Sequence, residues 1–474
     1  MRPFYKFLIY AVLLSMVTVS CKKDKEDTRN TTVKVNAFIK DAMNEIYLWT
    51  AHINPTVLNN YKQETDPMVY FDKLLYKTED KWSFITDDYQ GLINSLNGRE
   101  TTYGYSLAFG RFSNNPDNYF AVIQYVYPNS PAAEKGLQRS DILLKINGND
   151  ITANNYTQLI YSSNITLTLG VLSGGSITSG STLTMTSREM NLNPVVIDKV
   201  ITYEGRKIAY LFYTQYIESY TPQLDNAIRR FKSEGVNDVI LDLRYNPGGY
   251  VSTARHLCSA LAPSSVVVNQ NNILIRNQWN NNYQTYWVQQ GRREMLEQHF
   301  DADVVTNGIN MNLGRLFVLT GRGTASASEL TITGLKHYMP VRLIGGVTVG
   351  KYVASATFQP KDMNNNDPSI ANWAIQPIIY EYANAGGTVD FKNGFTPDVP
   401  IDEDVFDHTT PLGDIHEVLL SKALYEITGV VVPPRAKSTR QPEVRPFQLM
   451  GTISSRYDKF KENAIIEQLK VNEK

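Results

Sequence analysis

Cysteine is nearly missing: Cys21 and Cys258 are the only two in 474 residues, so a disulfide framework is excluded. Six histidines are scattered along the chain without a His-x-x-x-His pair, which removes the usual zinc-hydrolase signature. Charge of one sign is also lacking. The 46 basic and 47 acidic residues nearly cancel and form no basic stripe, so nucleic acid is not an expected partner. Low-complexity segments and short-period repeats are absent from the sequence. A long apolar run is missing too, because Phe7 to Val19 falls short of the about 20 residues that span a bilayer. The remainder is ordinary: 42% hydrophobic residues suffice for large cores, and the length suits two or three domains.

The N-terminus reads as an address. Arg2 and Lys6 precede the apolar run, and Ser20 is a small residue before Cys21, so residues 1–20 are expected to be a signal peptide. Thr18-Val19-Ser20-Cys21 is similar to a bacterial lipobox, with threonine where leucine is usual. That resemblance implies lipidation of Cys21 and a lipid anchor in the outer membrane of a cell envelope. Residues 21–32 are charged and lack aliphatic side chains, the composition of a disordered tether. Their pattern resembles the export signals of Bacteroidetes-type surface lipoproteins. Cys258 lies in an apolar helical stretch, where a lone thiol is expected to pack as core.

Chemistry concentrates in three glycine-broken stretches. Leu313 to Thr320 has the character of a strand, breaks at Gly321 and Gly323, and restarts as a helix over Ser326–Met339. A serine at that junction faces free amides and the positive end of a helix dipole, which suits a developing anion. Either Ser326 or Ser328 could instead be a plain helix cap. A base is needed for a serine nucleophile, and Lys351 follows in the loop Gly346–Tyr352. Upstream, Val236–Leu241 reads as a buried strand leading to Asn246-Pro247-Gly248-Gly249, whose glycines bare backbone amides as an oxyanion hole requires.

Together these stretches resemble the C-terminal processing (tail-specific) serine peptidase family. Thr324–Glu329 matches its Thr/Ser-Ala-Ser-Ala-Ser-Glu pattern, Gly350-Lys351 its lysine, and Arg244–Gly249 its Arg-x-Asn-x-Gly-Gly element. The resemblance runs from about Val35 to Gly429. It implies Ser326 as nucleophile, Lys351 as general base, and the amides of Gly248 and Ala327 as oxyanion hole. Arg244 and Asn246 are then accessory. Four residues after the lysine, where many relatives carry an orienting glutamine, this chain has Ser355. No metal or organic cofactor is implied.

The fold class implied is α/β: a Clp/crotonase-like spiral of βα units over 190–430, with an inserted PDZ-like β domain and an N-terminal helical module. The module spans 33–97, with Val35, Phe38, Ile39, Ala42, Met43 and Ile46 recurring at three and four. Trp82–Asp87 is similar to the element that closes this module in the family. Residues 98–175 carry Ser-Pro-Ala, Gly-Leu, Asp-Ile-Leu and Ile-Asn-Gly in the order of bacterial PDZ modules. There Tyr103, Gly104, Tyr105 and Ser106 fall at the carboxylate-binding loop. A peptide ending at such a loop adds a strand to the sheet. Residues 265–312, rich in asparagine, glutamine and aromatics, read as an insertion beside the site. Gly394–Val399 matches the family's Gly-x-x-Pro-Asp-Val. Residues 431–474 are a proline-spaced linker and tail, with a short charged helix expected over Arg456–Lys470.

The activity implied is hydrolysis of proteins or peptides near a free C-terminus. Lys351 must be neutral to accept the Ser326 proton, and burial can lower a lysine pKa by up to ~3–5 units. A second reading is a catalytically weak or inactive surface lipoprotein that holds peptides or glycans on the same fold. An acyl-CoA enzyme of crotonase type shares the spiral, yet gains nothing from a PDZ module.

Overall fold

A five-residue strand buried at every position, Asp238–Asp242, anchors the molecule. Strands buried on both faces need neighbours on each edge and helices on each side. The computed structural model describes residues 28–433 except 114, 116 and 174, together with 447–453 and 464–465. In chain order the elements used below begin with α1 (28–46) and α2 (Pro67–Leu74). The β domain follows with β1 (Tyr105–Phe112), β2 (Asn118–Val126), β3 (Ile142–Ile146), β4 (Asn149–Thr152), β5 (Asn164–Ser173) and β6 (Ser176–Thr186). The core opens with β7 (Val195–Tyr203), β8 (Arg206–Tyr213), α3 (Thr221–Ser233), β9 (Asp238–Asp242) and α4 (Val251–Leu261). It continues through β10 (Ile273–Trp279), α5 (Asn281–Gln289), β11 (Glu297–His299), β12 (Leu316–Thr320), α6 (Ala327–Lys336) and β13 (Val341–Gly345). Then come β14 (Val353–Ser355), β15 (Ala374–Gln376), β16 (Ile378–Asn384), β17 (Val399–Pro400), α7 (Val418–Thr428), β18 (Phe447–Ile453) and β19 (Ala464–Ile465).

The main sheet has the order β7-β8-β9-β12-β13-β17. β7 pairs antiparallel to β8, and every later pair is parallel. Parallel neighbours need crossovers, which α3, α4 and α6 supply, so the chain winds as βα units. A second sheet, β11-β10-β16-β14-β19, lies beside it, and the β domain has the order β18-β1-β2-β4-β3-β5-β6. This mixed α/β architecture, with a PDZ-like domain and a helical N-terminal region, is the one expected.

Several boundaries moved. Residues 28–32, at the end of the expected tether, are helical, with Thr32 Oγ1 donating to the Thr28 carbonyl. The β5–β6 hairpin carries the β domain past 175 to Thr186, because its cross-strand pairing continues to Asn164↔Thr186. Residues 265–312 are built into the fold rather than appended to it: β10 pairs with β16, and Trp279, Tyr283 and Trp287 form one buried cluster. Asn280 Nδ2 also donates to the carbonyls of Glu45 and Tyr47, tying this region to the N-terminal module. Within the expected tail helix, Ala464–Ile465 is a strand instead, paired with β14. Residues 1–20, expected to be a signal peptide, and Cys21 lie outside the described residues. Among the described residues no helix is long and apolar enough to cross a membrane. Cys258 is buried as expected, and burial pushes its thiol up to about 12.

Candidate active site

Three loops leave the same end of the parallel strands β9, β12 and β13, where open α/β sheets place their ligands. After β12 the chain turns through 321–325 into α6, and Ser326 is the residue just before that helix. Its backbone has φ 60° and ψ −113°, a conformation a side-chain-bearing residue keeps only when its surroundings impose it. Those surroundings are glycine and backbone. Gly248 approaches so closely that a Cβ there would lie 2.8 Å from the Ser326 Cβ.

The two candidate serines separate clearly. Ser328 donates to the Asn246 carbonyl at 3.0 Å, which makes it a tie between loops. Ser326 is wholly buried, yet its Oγ makes no hydrogen bond. A buried hydroxyl without a partner is penalised by about 1–3 kcal/mol, and such penalties cluster where function needs the group uncommitted. Ser326 and Glu329 stand as a capping-box pair, with Glu329 Oε2 accepting from the Ser326 amide, but no capping bond to Oγ of ordinary geometry is made.

Lys351 is also fully buried, and its Nζ stands 5.5 Å from the centre of the Trp82 ring. The backbones of Ser326 and Lys351 are fastened together twice. Glu329, inside the first turn of α6, accepts at Oε2 from the Ser326 amide (2.9 Å) and the Lys351 amide (2.8 Å). Its Oε1 accepts from Thr348 Oγ1 and the Gly350 amide, each at 2.6 Å. On the other side the Tyr382 hydroxyl lies 2.9 Å from the Ser326 carbonyl oxygen and 2.7 Å from that of Lys351. Burial raises the Glu329 pKa despite the donors from Thr348, Gly350, Ser326 and Lys351. The lysine loop is backed by the Gly394–Val399 segment. A Cβ on Gly394 would meet the Thr348 carbonyl oxygen at 2.0 Å, and Gly394 has φ 81°. Nothing larger than glycine fits there.

In the third loop, Asn246 Nδ2 donates to the Tyr213 carbonyl, while its own carbonyl also accepts from the Ala325 amide. The Gly248 amide donates to Asn246 Oδ1 at 2.9 Å, so that donor is engaged within its own loop. Ala327 opens α6, so its N–H has no intrahelical acceptor. Arg244 is buried in an ionic cluster with Asp242, Glu403 and Glu417 at 2.8–3.0 Å. That cluster reaches the β domain, because Arg139 also pairs with Glu403 and donates to the Tyr245 hydroxyl.

Ser355 is buried and accepts from Gln376 Nε2 at 3.0 Å. A glutamine therefore does stand against Ser355, but it comes from β15. Sequence reading missed it, since 21 residues separate the two. Glu329 and Tyr382 were missed as well. The glutamate was visible in the motif, whereas nothing local marks the tyrosine.

In the β domain, Tyr103, Tyr105 and Ser106 are all buried. Tyr103 donates to the Ser162 carbonyl, and Ser106 Oγ to Gln124 Oε1 at 2.9 Å. Their side chains shape the loop rather than face solvent. Gly104 has φ 79°, and a Cβ there would collide with Ser130 at 2.2 Å. A small cavity between this loop and the glycine loop is lined by Gly104, Tyr105, Tyr125, Gln215, Tyr245 and Pro247.

Comparison with known proteins bears on the family and the fold. Three family descriptions match: Peptidase family S41 over residues 207–401, Peptidase S41 N-terminal domain over 34–84, and PDZ domain over 122–169. A crystal structure of an S41 protease from Bacteroides fragilis is 30% identical, with a TM-score of 0.67, and the match covers 83% of this chain and 97% of that one. The chain belongs to peptidase family S41. The photosystem II D1 C-terminal processing protease shares the fold at 18% identity and a TM-score of 0.51, over 83% of this chain and 98% of its own. The carboxyl-terminal-processing protease of Synechocystis is 27% identical over 252 residues, 52% of this chain. The match spans about half (53%) of that relative's length. The carboxy-terminal processing protease CtpA of Bacillus subtilis is 22% identical over 421 residues, 84% of this chain and 77% of its own. S41 is a serine peptidase family, and its named relatives here are processing proteases.

Proposed function

We propose that this chain cleaves protein or peptide substrates near their C-termini, with Ser326 as nucleophile and Lys351 as general base. The observation that carries this reading is the uncommitted Ser326 hydroxyl, wholly buried in a strained backbone that Glu329 and Tyr382 fasten to the backbone of Lys351. Lys351 is fully buried, and the proposed role requires its neutral amine, the form able to take a proton. Proton transfer then requires Nζ to come within about 2.6–3.2 Å of Oγ. Attack on a backbone carbonyl yields an acyl-enzyme, which water hydrolyses. Ala327 N–H would hold the oxyanion. The Gly248 amide would join it once released from Asn246, and one such donor is typically worth ~2.7–4 kcal/mol. Gln376 takes the part of the missing glutamine by holding Ser355.

The β domain would receive the substrate's C-terminus at the Gly104 loop, with the peptide as an added strand on β1. Membrane attachment through lipidated Cys21, at the outer membrane, rests on the lipobox-like sequence alone. Acid hydrolysis of the purified protein, searched for a thioether-linked glyceryl cysteine, tests it.

The deciding experiment incubates the parent, Ser326→Ala and Lys351→Ala with unstructured peptides that end in a free carboxylate. Turnover by the parent alone supports the peptidase. Equal binding by all three with no turnover would assign the chain to peptide or glycan binding instead.

A further inference from the structure

Strand β1 is the edge of the PDZ-like sheet that follows the Gly104 loop, and it is the edge a substrate peptide would need. That edge is filled by β18, from the chain's own tail. β18 runs antiparallel to β1 with the pairs Phe447↔Phe112, Gln448↔Arg111 and Leu449↔Gly110, then, after an irregularity, Thr452↔Ala108 and Ile453↔Leu107. It therefore advances toward the start of β1 and the Gly104 loop. A peptide bound by its C-terminal end would enter with the same polarity. Further on, β19 pairs in parallel with β14, Ala354↔Ala464 and Ser355↔Ile465. β14 begins two residues after Lys351. One stretch of tail thus holds both the recognition edge and the strand that leads out of the lysine loop.

From this placement we infer that the C-terminal tail is a built-in ligand of the peptidase: it occupies the peptide-binding edge in cis and competes with peptides arriving in trans. The inference rests on the proposed role of the β domain in binding peptide tails. The contact is suited to release. It is made by main-chain pairing, and Leu449 stays 37% exposed. The connection is suited to rebinding. Residues 433–446 are fourteen, with prolines at 433, 434, 442 and 446. Fourteen residues would have a root-mean-square span of roughly 20 Å as a random coil, and a tether of that reach would hold its ligand at an effective concentration on the order of mM. A tail segment of ~100 μM intrinsic affinity would then weaken a competing peptide about tenfold.

The test compares the full chain, a chain ending at Val432, and the double variant Leu449→Pro with Thr452→Pro, in which proline removes two donors of the added strand. Amide hydrogen exchange is read over 107–112. Binding of a fluorescent synthetic peptide with the sequence of residues 445–455 is read by anisotropy. The expected result is fast exchange in alternate β1 amides and about tenfold tighter peptide binding in the truncated and double-proline chains. Their KM for peptide substrate should fall by the same factor at unchanged kcat. Equal exchange and equal affinity in all three chains would overturn the proposal. If β1 exchange quickens on truncation but no chain binds the peptide, tail recognition by the β domain fails, and cis competition fails with it. If the truncated chain binds peptide well but the full chain binds it equally, competition alone is refuted and tail recognition stands.

Discussion

Glu329 and Glu403 each close a seam between loops, but opposite chemistry holds them. Glu329 joins the serine loop to the lysine loop through three amides and one hydroxyl, all neutral donors. Burial outweighs those donors and raises its pKa. Glu403 joins the β domain to the core through two guanidinium groups and the Tyr245 hydroxyl. There burial works against Arg139 and Arg244, and the cations win, bringing the carboxyl down to about 2. The seam beside Lys351, the proposed base, is thus built from neutral donors. A seam that only has to hold two domains together uses cations.

Removing the proposed nucleophile and base should have the largest effect. Ser326→Ala and Lys351→Ala should each lower kcat by at least about 10⁴-fold, measured by peptide turnover. Both should keep the melting temperature within a few degrees, which separates loss of chemistry from loss of fold. The next test breaks the neutral seam. Glu329→Gln removes the charge that four donors share, and kcat/KM should fall by about 10²-fold, the usual scale for misplacing a reacting group by about 1 Å.

Breaking the charged seam should show in stability instead. Arg244→Met leaves Asp242, Glu403 and Glu417 without their shared cation, and breaking a buried pair costs about 3–5 kcal/mol. Thermal unfolding should then shift down by roughly 6–20 °C for a unit of this size. An unchanged melting temperature would mean the cluster contributes little.

Acidification sharpens the same contrast. A raised pKa means folding disfavours ionised Glu329, so its protonation as pH falls does not itself weaken the fold, although it withdraws an acceptor from the Ser326 and Lys351 amides. Glu403 has a lowered pKa, so its contribution is fully present above about 4.5 and disappears only as pH falls from there toward about 2. Activity should therefore decline at higher pH than the pH at which circular dichroism reports unfolding. Coincident transitions would contradict this account. The smallest effect is expected at Ser328→Ala. It loses the bond to the Asn246 carbonyl, about 1–2 kcal/mol, and turnover should stay within about tenfold of the parent. Turnover abolished there, but kept in Ser326→Ala, would exchange the two serines' roles.

Much of this was legible from the chain alone. The βα alternation, the glycine-broken loops and the helix restarting at Ser326 are local patterns, and local patterns survive in one dimension. Gly394 could be read as a motif residue, but not as the glycine whose missing side chain makes room for the Thr348 carbonyl. Ser355 stands where many relatives carry a glutamine, and the glutamine that donates to it, Gln376, comes from β15, which no local pattern links to it. The tail holds strands where it is described, and Ala464–Ile465 lies inside the helix that the charged pattern of Arg456–Lys470 suggests. Its pairing with β1 and β14 depends on sheet edges more than a hundred residues away, at least for β14, and over three hundred for β1.

Residue type and spacing by themselves determined the fold class and which loops carry a hydroxyl, an amine and bare amides, because periodicity and glycine act within a few residues. Which serine is uncommitted, which carboxylate clasps the two loops and what fills the recognition edge were decided only in three dimensions. Those outcomes depend on burial and on hydrogen-bond competition between segments that the sequence keeps far apart.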